Sequence, residues 1–166
     1  ISYHNRADMD TINTEGWCHY TNQDNTDTYG ACYNWYAVND SRGLCPSGWH
    51  VPSRPEYIAL ADSVGAATGA TGTSALNIVA QALLDDVNWT GNNSSGFSAV
   101  PNMPRLNNGL YAEFNETFST WTSSSGTDDS GRIFRITNSP SSSWSSFNAY
   151  QFNKGYGHVV RCIKSE

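Results

Sequence analysis

Charge is what this sequence has least of. Asp, Glu, Lys and Arg make up 14% of the chain, against about a quarter in ordinary soluble domains. The shortage falls hardest on the basic side, with nine Lys and Arg against 15 Asp and Glu and a formal net charge of −6. A chain so poor in cations lacks the face that nucleic acid or an anionic membrane requires, so neither is expected as a partner. Also missing are any run long and apolar enough to insert in a bilayer and any opening signal-peptide pattern. A start at Ile1 rather than Met reads as a mature or trimmed fragment whose targeting information has been lost.

Catalytic and metal-binding constellations are scarce as well. No Cys-x-x-Cys pair is present, and Cys18, Cys32, Cys45 and Cys162 are too widely spaced for a zinc ribbon. Beside a secreted-like composition they read as disulfide cysteines, the alternative being four buried thiols in a cytosolic protein. His4, His19, His50 and His158 show no metal spacing and read as structural or surface residues. The neighbouring acids of "GTDDSGR" read as solvated rather than chelating. With no nucleophile–base pair and no phosphate loop, the expectation is a non-enzyme without metal or cofactor.

What the chain does hold is Ser, Thr, Asn and Gly in quantity, with 13% aromatic residues among 38% hydrophobic. That is enough for one core, so residues 1–166 are expected to form one domain. Ser53, Pro55 and Glu56 form a capping box ahead of Tyr57, Leu60, Ala61 and Val64, predicting a helix from about Arg54 to Val64. A second helix is expected in "SALNIVAQALLDD", with Leu76, Val79, Ala80 and Leu83 on one face behind a Ser74 cap. "CYNWYAV" has strand composition without clean alternation and is equally readable as a short helix. "SRGLCPSG" is turn chemistry ahead of a short "WHV" strand. After Asp86 come short strand-like pieces cut by Gly, Asn, Pro and Ser. Helices first and strands after make the class α+β.

Four blocks, "YGACYNWYAVNDSRGLCPSGWHVPS", "GFSAVPNMPR", "WTSSS" and "YGHVVRC", resemble in order and spacing the signatures of the Fibrobacter succinogenes major paralogous domain family. The resemblance spans most of the chain. It implies a C-type lectin-like fold of the formylglycine-generating-enzyme kind, with two helices and short antiparallel strands, as found in bacterial surface and phage or viral proteins. In some members the C-terminal part is the variable region of a diversity-generating retroelement. The fold would bring Cys45 to Cys162 and make Trp35, Tyr36 and Trp49 core aromatics. The chain departs from the family in lacking a cysteine just before Tyr29-Gly30 and in carrying Cys32, which suggests a second bridge, Cys18 to Cys32. It also has His158 where Phe is usual and Val159 where a small polar residue is usual. The formylglycine-generating enzymes use a pair of redox cysteines, whereas here all four are assigned to bridges. "VPNMP" and "NWTG" hold fragments of the calcium motifs of C-type lectins but lack the carboxylates calcium needs.

The resemblance directs attention to residues 121–158 as a candidate variable region. Tyr, Trp, Phe and Arg alternate there with Ser, Asn and Gly, the chemistry of antibody-like binding surfaces. Adenine-directed mutation of Asn codons can produce Thr127, Asp128, Arg132, Phe134, Arg135, Thr137, Phe147, Asn148, Tyr150, Asn153 and Tyr156. It cannot produce Trp121, Trp144, Gln151 or Lys154, which would then be framework or the product of other codons. In "GRIFRIT", Ile133 and Ile136 are expected to face the core and Phe134, Arg135 and Thr137 the ligand. Phe147, Asn148, Tyr150 and Tyr156 would complete that face, with Trp144 at its edge. The expected function is non-catalytic binding of a protein or glycan receptor on a target cell, from a cell or virion surface. A structural surface domain without a ligand, or an enzyme of the formylglycine-generating kind, are the alternatives. Nothing in the sequence specifies the oligomeric state.

Overall fold

Polar side chains decide where the helices begin. In the computed structural model, Asn34 caps a one-turn helix, α1 (Trp35–Val38), by accepting from the Ala37 amide at 3.0 Å. The same Oδ1 accepts from the Gly16 amide at 3.0 Å, so one fully buried side chain fixes a helix start to a strand. Ser53 and Glu56 form the predicted box at the head of α2 (Arg54–Thr68), where the Ser53 N–H and hydroxyl both donate to Glu56, at 2.7 and 2.6 Å. These bonds, the Ser53 hydroxyl's first, and the neighbouring His50 bring the Glu56 carboxyl down to about 2. The third helix, α3 (Thr73–Leu83), begins one residue before the expected Ser74 cap. It buries Val79, Ala80 and Leu83, and the side chain of Leu76 lies outside the described residues.

The structure describes residues 2–3, 15–18, 30–68, 73–87, 91–102, 104–106, 108–111, 117–137 and 150–166. Among these, β1 (Ser2–Tyr3), β2 (Gly16–Cys18) and β3 (Cys32–Tyr33) form one small sheet, and β4 (Trp49–His50) pairs with β8 (Ile163–Lys164). The largest sheet is antiparallel and runs in order β5 (Thr117–Ser125), β6 (Ser130–Thr137), β7 (Tyr150–Asn153). The class is therefore α+β, as the order of elements in the sequence implies. "CYNWYAV" resolves into both of its readings, a short strand and then one helical turn.

Both faces of the β5–β6 pair are buried. On one, Phe118, Phe134 and Ile136 pack with Tyr57, Val79, Leu83 and Leu84 from α2, α3 and the residue after it. The Tyr57 and Phe134 rings stack there with centroids 4.3 Å apart. On the other, Trp121 and Ile133 pack with Trp35, Val38 and Val51. The closing segment stitches sheet to sheet. His158 exchanges backbone bonds of 3.0 and 2.8 Å with Tyr33, and the Val159 carbonyl accepts from the Trp121 amide at 3.1 Å.

A disulfide joins Cys45 to Cys162 across 117 residues, beside the β4–β8 pair. Closing a loop of that length is worth about 4–5 kcal/mol in the chain-entropy model. The second expected bridge is not formed. Cys18 and Cys32 stand directly opposite each other on β2 and β3 as buried thiols. The Cys18 contact and complete burial push the Cys32 thiol up, while the hydrogen bond from Cys32 draws Cys18 down. Trp49 also departs from expectation. Its indole is 47% exposed, because β4 is a two-residue strand paired on one side and leaves that ring without a covering layer.

Candidate ligand-binding face

The β5–β6 register runs without interruption from Thr117↔Thr137 to Trp121↔Ile133 and shifts between Trp121 and Ser125, where Ser125 comes to oppose Gly131. A shift of this kind bends and twists a strand pair, and beyond it the hairpin leaves the core. Gly131 marks the last tight contact. A Cβ there would lie 2.1 Å from Cδ1 of Trp35, so only glycine admits the indole. Past that point Thr127, Asp128, Gln151 and Asn153 are exposed and Arg132 is half-buried.

This end is polar but not loose. Gln151 accepts from the Ser130 hydroxyl at 2.8 Å and from the Thr127 amide at 3.4 Å, and the Thr127 amide also reaches Ser130 Oγ at 2.9 Å. Arg132 Nε donates to the Ser125 carbonyl at 3.0 Å. The Lys154 ammonium donates to the Asp128 carbonyl and lies 4.9 Å from the centre of the Trp35 ring. The Thr127 bonds tie the turn at 126–129 to β6 and β7, the Lys154 bond ties it to the residue after β7, and the Ser130 and Arg132 bonds join β6 to β7 and to β5, so the exposed side chains stand on a fixed backbone.

Nearer the middle, Arg135 is half-buried. Its guanidinium donates to Thr117 Oγ1 at 3.2 Å and lies 5.3 Å from the centre of the Tyr150 ring, which is itself 38% exposed. Beneath runs a buried polar chain. Asn102 accepts from the Ser119 amide at 3.0 Å, and Ser119 Oγ meets His158 Nδ1 at 3.0 Å. Burial, aided by the charge of Arg135, brings the His158 imidazole down to about 3, so it is neutral at physiological pH.

The sequence profile of the Fibrobacter succinogenes major domain family matches residues 2–164. The chain belongs to this family. No curated protein and no solved structure matches it.

Within this Fibrobacter succinogenes major domain, the expected ligand residues separate into groups. Thr127, Asp128, Arg132 and Asn153 gather at the far end of the sheet, Tyr150 and Arg135 follow further along it, and Thr137 lies at the opposite end of β6, paired with Thr117. Tyr156 is partly buried against the Trp35–Trp121 cluster, its ring 5.7 Å from that of Phe152. Trp144, Phe147 and Asn148 lie outside the described residues.

Phe134 does not face outward. It is 6% exposed and stacked on Tyr57. The reason is the pleat: Ile133 and Ile136 are three residues apart and so occupy opposite faces, and Phe134 shares the face of Ile136. Both isoleucines are indeed buried, one on each side of a sheet that is covered twice.

Sequence reasoning also passed over a cleft of about 360 Å³ between α2 and the closing segment, lined by Glu56, Tyr57, Leu60, Phe97 and Arg161 among others. Arg161 sits inside a family block where it reads as part of a terminal strand. No local pattern pairs it with Tyr57.

Proposed function

We propose that this domain is a non-catalytic binding module that recognises a protein or glycan receptor on a target cell, displayed on a cell or virion surface. The far end of the β5–β6–β7 sheet would be its contact surface. The fold is read as C-type lectin-like and the C-terminal third as a retroelement-diversified segment. One observation carries this reading: the described residues that adenine-directed mutation of Asn codons cannot make are the ones engaged in scaffold contacts. Trp121 is fully buried and donates to the Tyr33 carbonyl at 2.7 Å, Gln151 ties the turn to β6, and Lys154 bridges the turn to Trp35. The residues such mutation can make, Thr127, Asp128, Arg132, Tyr150 and Asn153, are exposed or half-exposed beside them. Phe134 and the partly buried Tyr156 are exceptions and belong to the scaffold by their positions. Mixed small polar and aromatic side chains on a rigid frame bind with little ordering cost.

The test is at the DNA level and then at the surface. The DNA flanking the segment that encodes residues 121–162 should hold a near-repeat, with adenines at the differing positions. Those positions should include Thr127, Arg132, Arg135 and Tyr150 and exclude Trp121, Gln151 and Lys154. A locus with no such repeat overturns the diversification reading. Loss of target-cell binding in a combined Arg132, Arg135 and Tyr150 alanine variant that keeps its melting temperature would support the contact surface. Unchanged binding would move the site elsewhere.

A further inference from the structure

The cleft under α2 has the features of a built site, and it shares no residue with the sheet end. Arg161 enters it partly buried, which lowers the pKa of its guanidinium. It donates to the Phe97 carbonyl and, at 2.8 Å, to the Ser98 carbonyl, and stacks over Phe97 with 4.3 Å to the ring centre. No carboxylate among the described residues lies within ion-pair distance of it. A guanidinium carries five N–H donors, so donors remain after these two bonds. A desolvated cation without an acid is costly unless something supplies the missing charge.

Tyr57 provides the second observation. Its hydroxyl is buried without a hydrogen-bond partner, and burial pushes its pKa up to about 12. Thr120 is near enough to offset part of that rise, but it does not stand in hydrogen-bond geometry with the hydroxyl. An unmet buried donor near an unmet cation, in the wall of one cleft, is the pairing that a carboxylate satisfies.

We propose that this cleft binds a small amphipathic monocarboxylate, an aromatic or short aliphatic acid, with its carboxylate at Arg161 and Tyr57 and its apolar body against Pro52, Leu60, Phe97 and Ile163. The volume is at the small end of ligand pockets, which sets the size. Glu56 sets the charge. Its oxygens are taken by Ser53 and His50, yet its carboxylate remains on the same wall and repels a second negative group, so dicarboxylates and inorganic phosphate are disfavoured.

The decisive experiment is an amide NMR titration of the whole chain with 3-phenylpropanoate, beside 3-phenylpropan-1-ol and inorganic phosphate. Saturable shifts are expected at Phe97, Arg161 and Ile163 with the acid, at a Kd of about 1 mM or tighter. The alcohol should bind at least about tenfold more weakly, and phosphate should leave those amides unmoved. Arg161→Lys should weaken the acid about tenfold by losing the forked geometry. Because that change also touches two carbonyl bonds, Leu60→Trp is the companion variant. It fills the apolar wall, should keep the fold, and should abolish the shifts. Absence of saturable shifts with the acid, equal binding of acid and alcohol, binding of phosphate at the same amides, or unaltered binding in a folded Leu60→Trp would each overturn the proposal. None of these outcomes bears on receptor binding by the sheet end, which is assayed on cells.

Discussion

In the middle of β5 and β6, Phe118, Trp121, Ile133, Phe134 and Ile136 are all buried, two of them under one layer and three under the other. Past the register shift at Trp121/Ser125, the turn that joins these strands exposes Thr127 and Asp128, and Arg132 beside it is only half-buried. The two regions share a backbone, but the side chains of one are aromatic and aliphatic and those of the other polar. What separates them is the second layer: the middle is packed by α2 and α3 on one side and by Trp35 and the closing segment on the other, while the end projects beyond both. A binding surface built this way can change its side chains without touching the core that holds it, provided that the frame bonds of Gln151 and Lys154 persist.

The sharpest way to break the comparison is to empty the middle. Phe134→Ala removes a ring stacked on Tyr57 between two other aromatics and should cost about 3–5 kcal/mol in denaturant unfolding. Tyr150→Ala, at the border, should cost less than about 1 kcal/mol. Equal costs would mean that the middle and the end are not distinct regions.

A second test uses pH. The unfolded chain protonates His158 near its ordinary value of 6.5, whereas the folded chain resists until about 3. Between those values the unfolded state holds more protons, so stability should fall as pH drops from 6.5, by up to about 1.4 kcal/mol per pH unit and about 2 kcal/mol by pH 5. Above about pH 7.5 this residue contributes almost no slope. His158→Phe should flatten the profile between pH 6.5 and 5, while Ser119 keeps its bond to Asn102 at 3.1 Å. The Glu56 contribution falls in a lower window, lost between 4.5 and about 2, so the two separate. A variant with the wild-type slope would remove His158 as the cause.

Of similar size is the cost at the boundary. Gly131→Ala sets a methyl against the Trp35 indole and should cost about 1–3 kcal/mol as the ring is displaced. Lys154 rests on that ring, so the same variant should also loosen the turn at 126–129, seen as faster amide exchange at Thr127 and Ser130. A neutral Gly131→Ala with unchanged exchange would detach the turn from the core.

How much of this could be read in the sequence differs by region for physical reasons. Local chemistry is legible: the Ser53–Glu56 box places α2, and α3 follows from the spacing of Val79, Ala80 and Leu83. The Cys45–Cys162 bridge followed from the family resemblance and is present. For Cys18 and Cys32 the resemblance gave the right neighbours and the wrong bonding, since opposition across two strands fixes proximity but not oxidation state. The face of Phe134 was misread because alternation reports burial only when one face of a strand is covered, and here both are. Trp49 was misread because an aromatic in a conserved-looking block carries no mark of which layer will cover it. The Arg161–Tyr57 cleft had no sequence signal, being assembled from a helix and the closing segment, far apart in the chain.

The smallest expected effect is the most informative about function. Thr127, Asp128 and Asn153 are exposed, and Thr127 meets its neighbours through its backbone amide and through a hydroxyl 2.9 Å from Ser130 Oγ, itself held by Gln151. Replacing these three in combination with Ser, Tyr, His or Gly should therefore change stability by no more than about 0.5 kcal/mol per site, the usual range for surface positions. Asn153 is the most constrained of them, because its Oδ1 accepts from the Gly155 amide at 2.8 Å within the turn that follows β7. A library at these positions should yield melting temperatures clustered around the parent, whereas the same library at Gln151 and Lys154 should scatter downward as the turn loses its ties. If the two libraries gave the same spread, the end of the sheet would have no separate frame, and a surface that varies freely on a fixed support would no longer describe it.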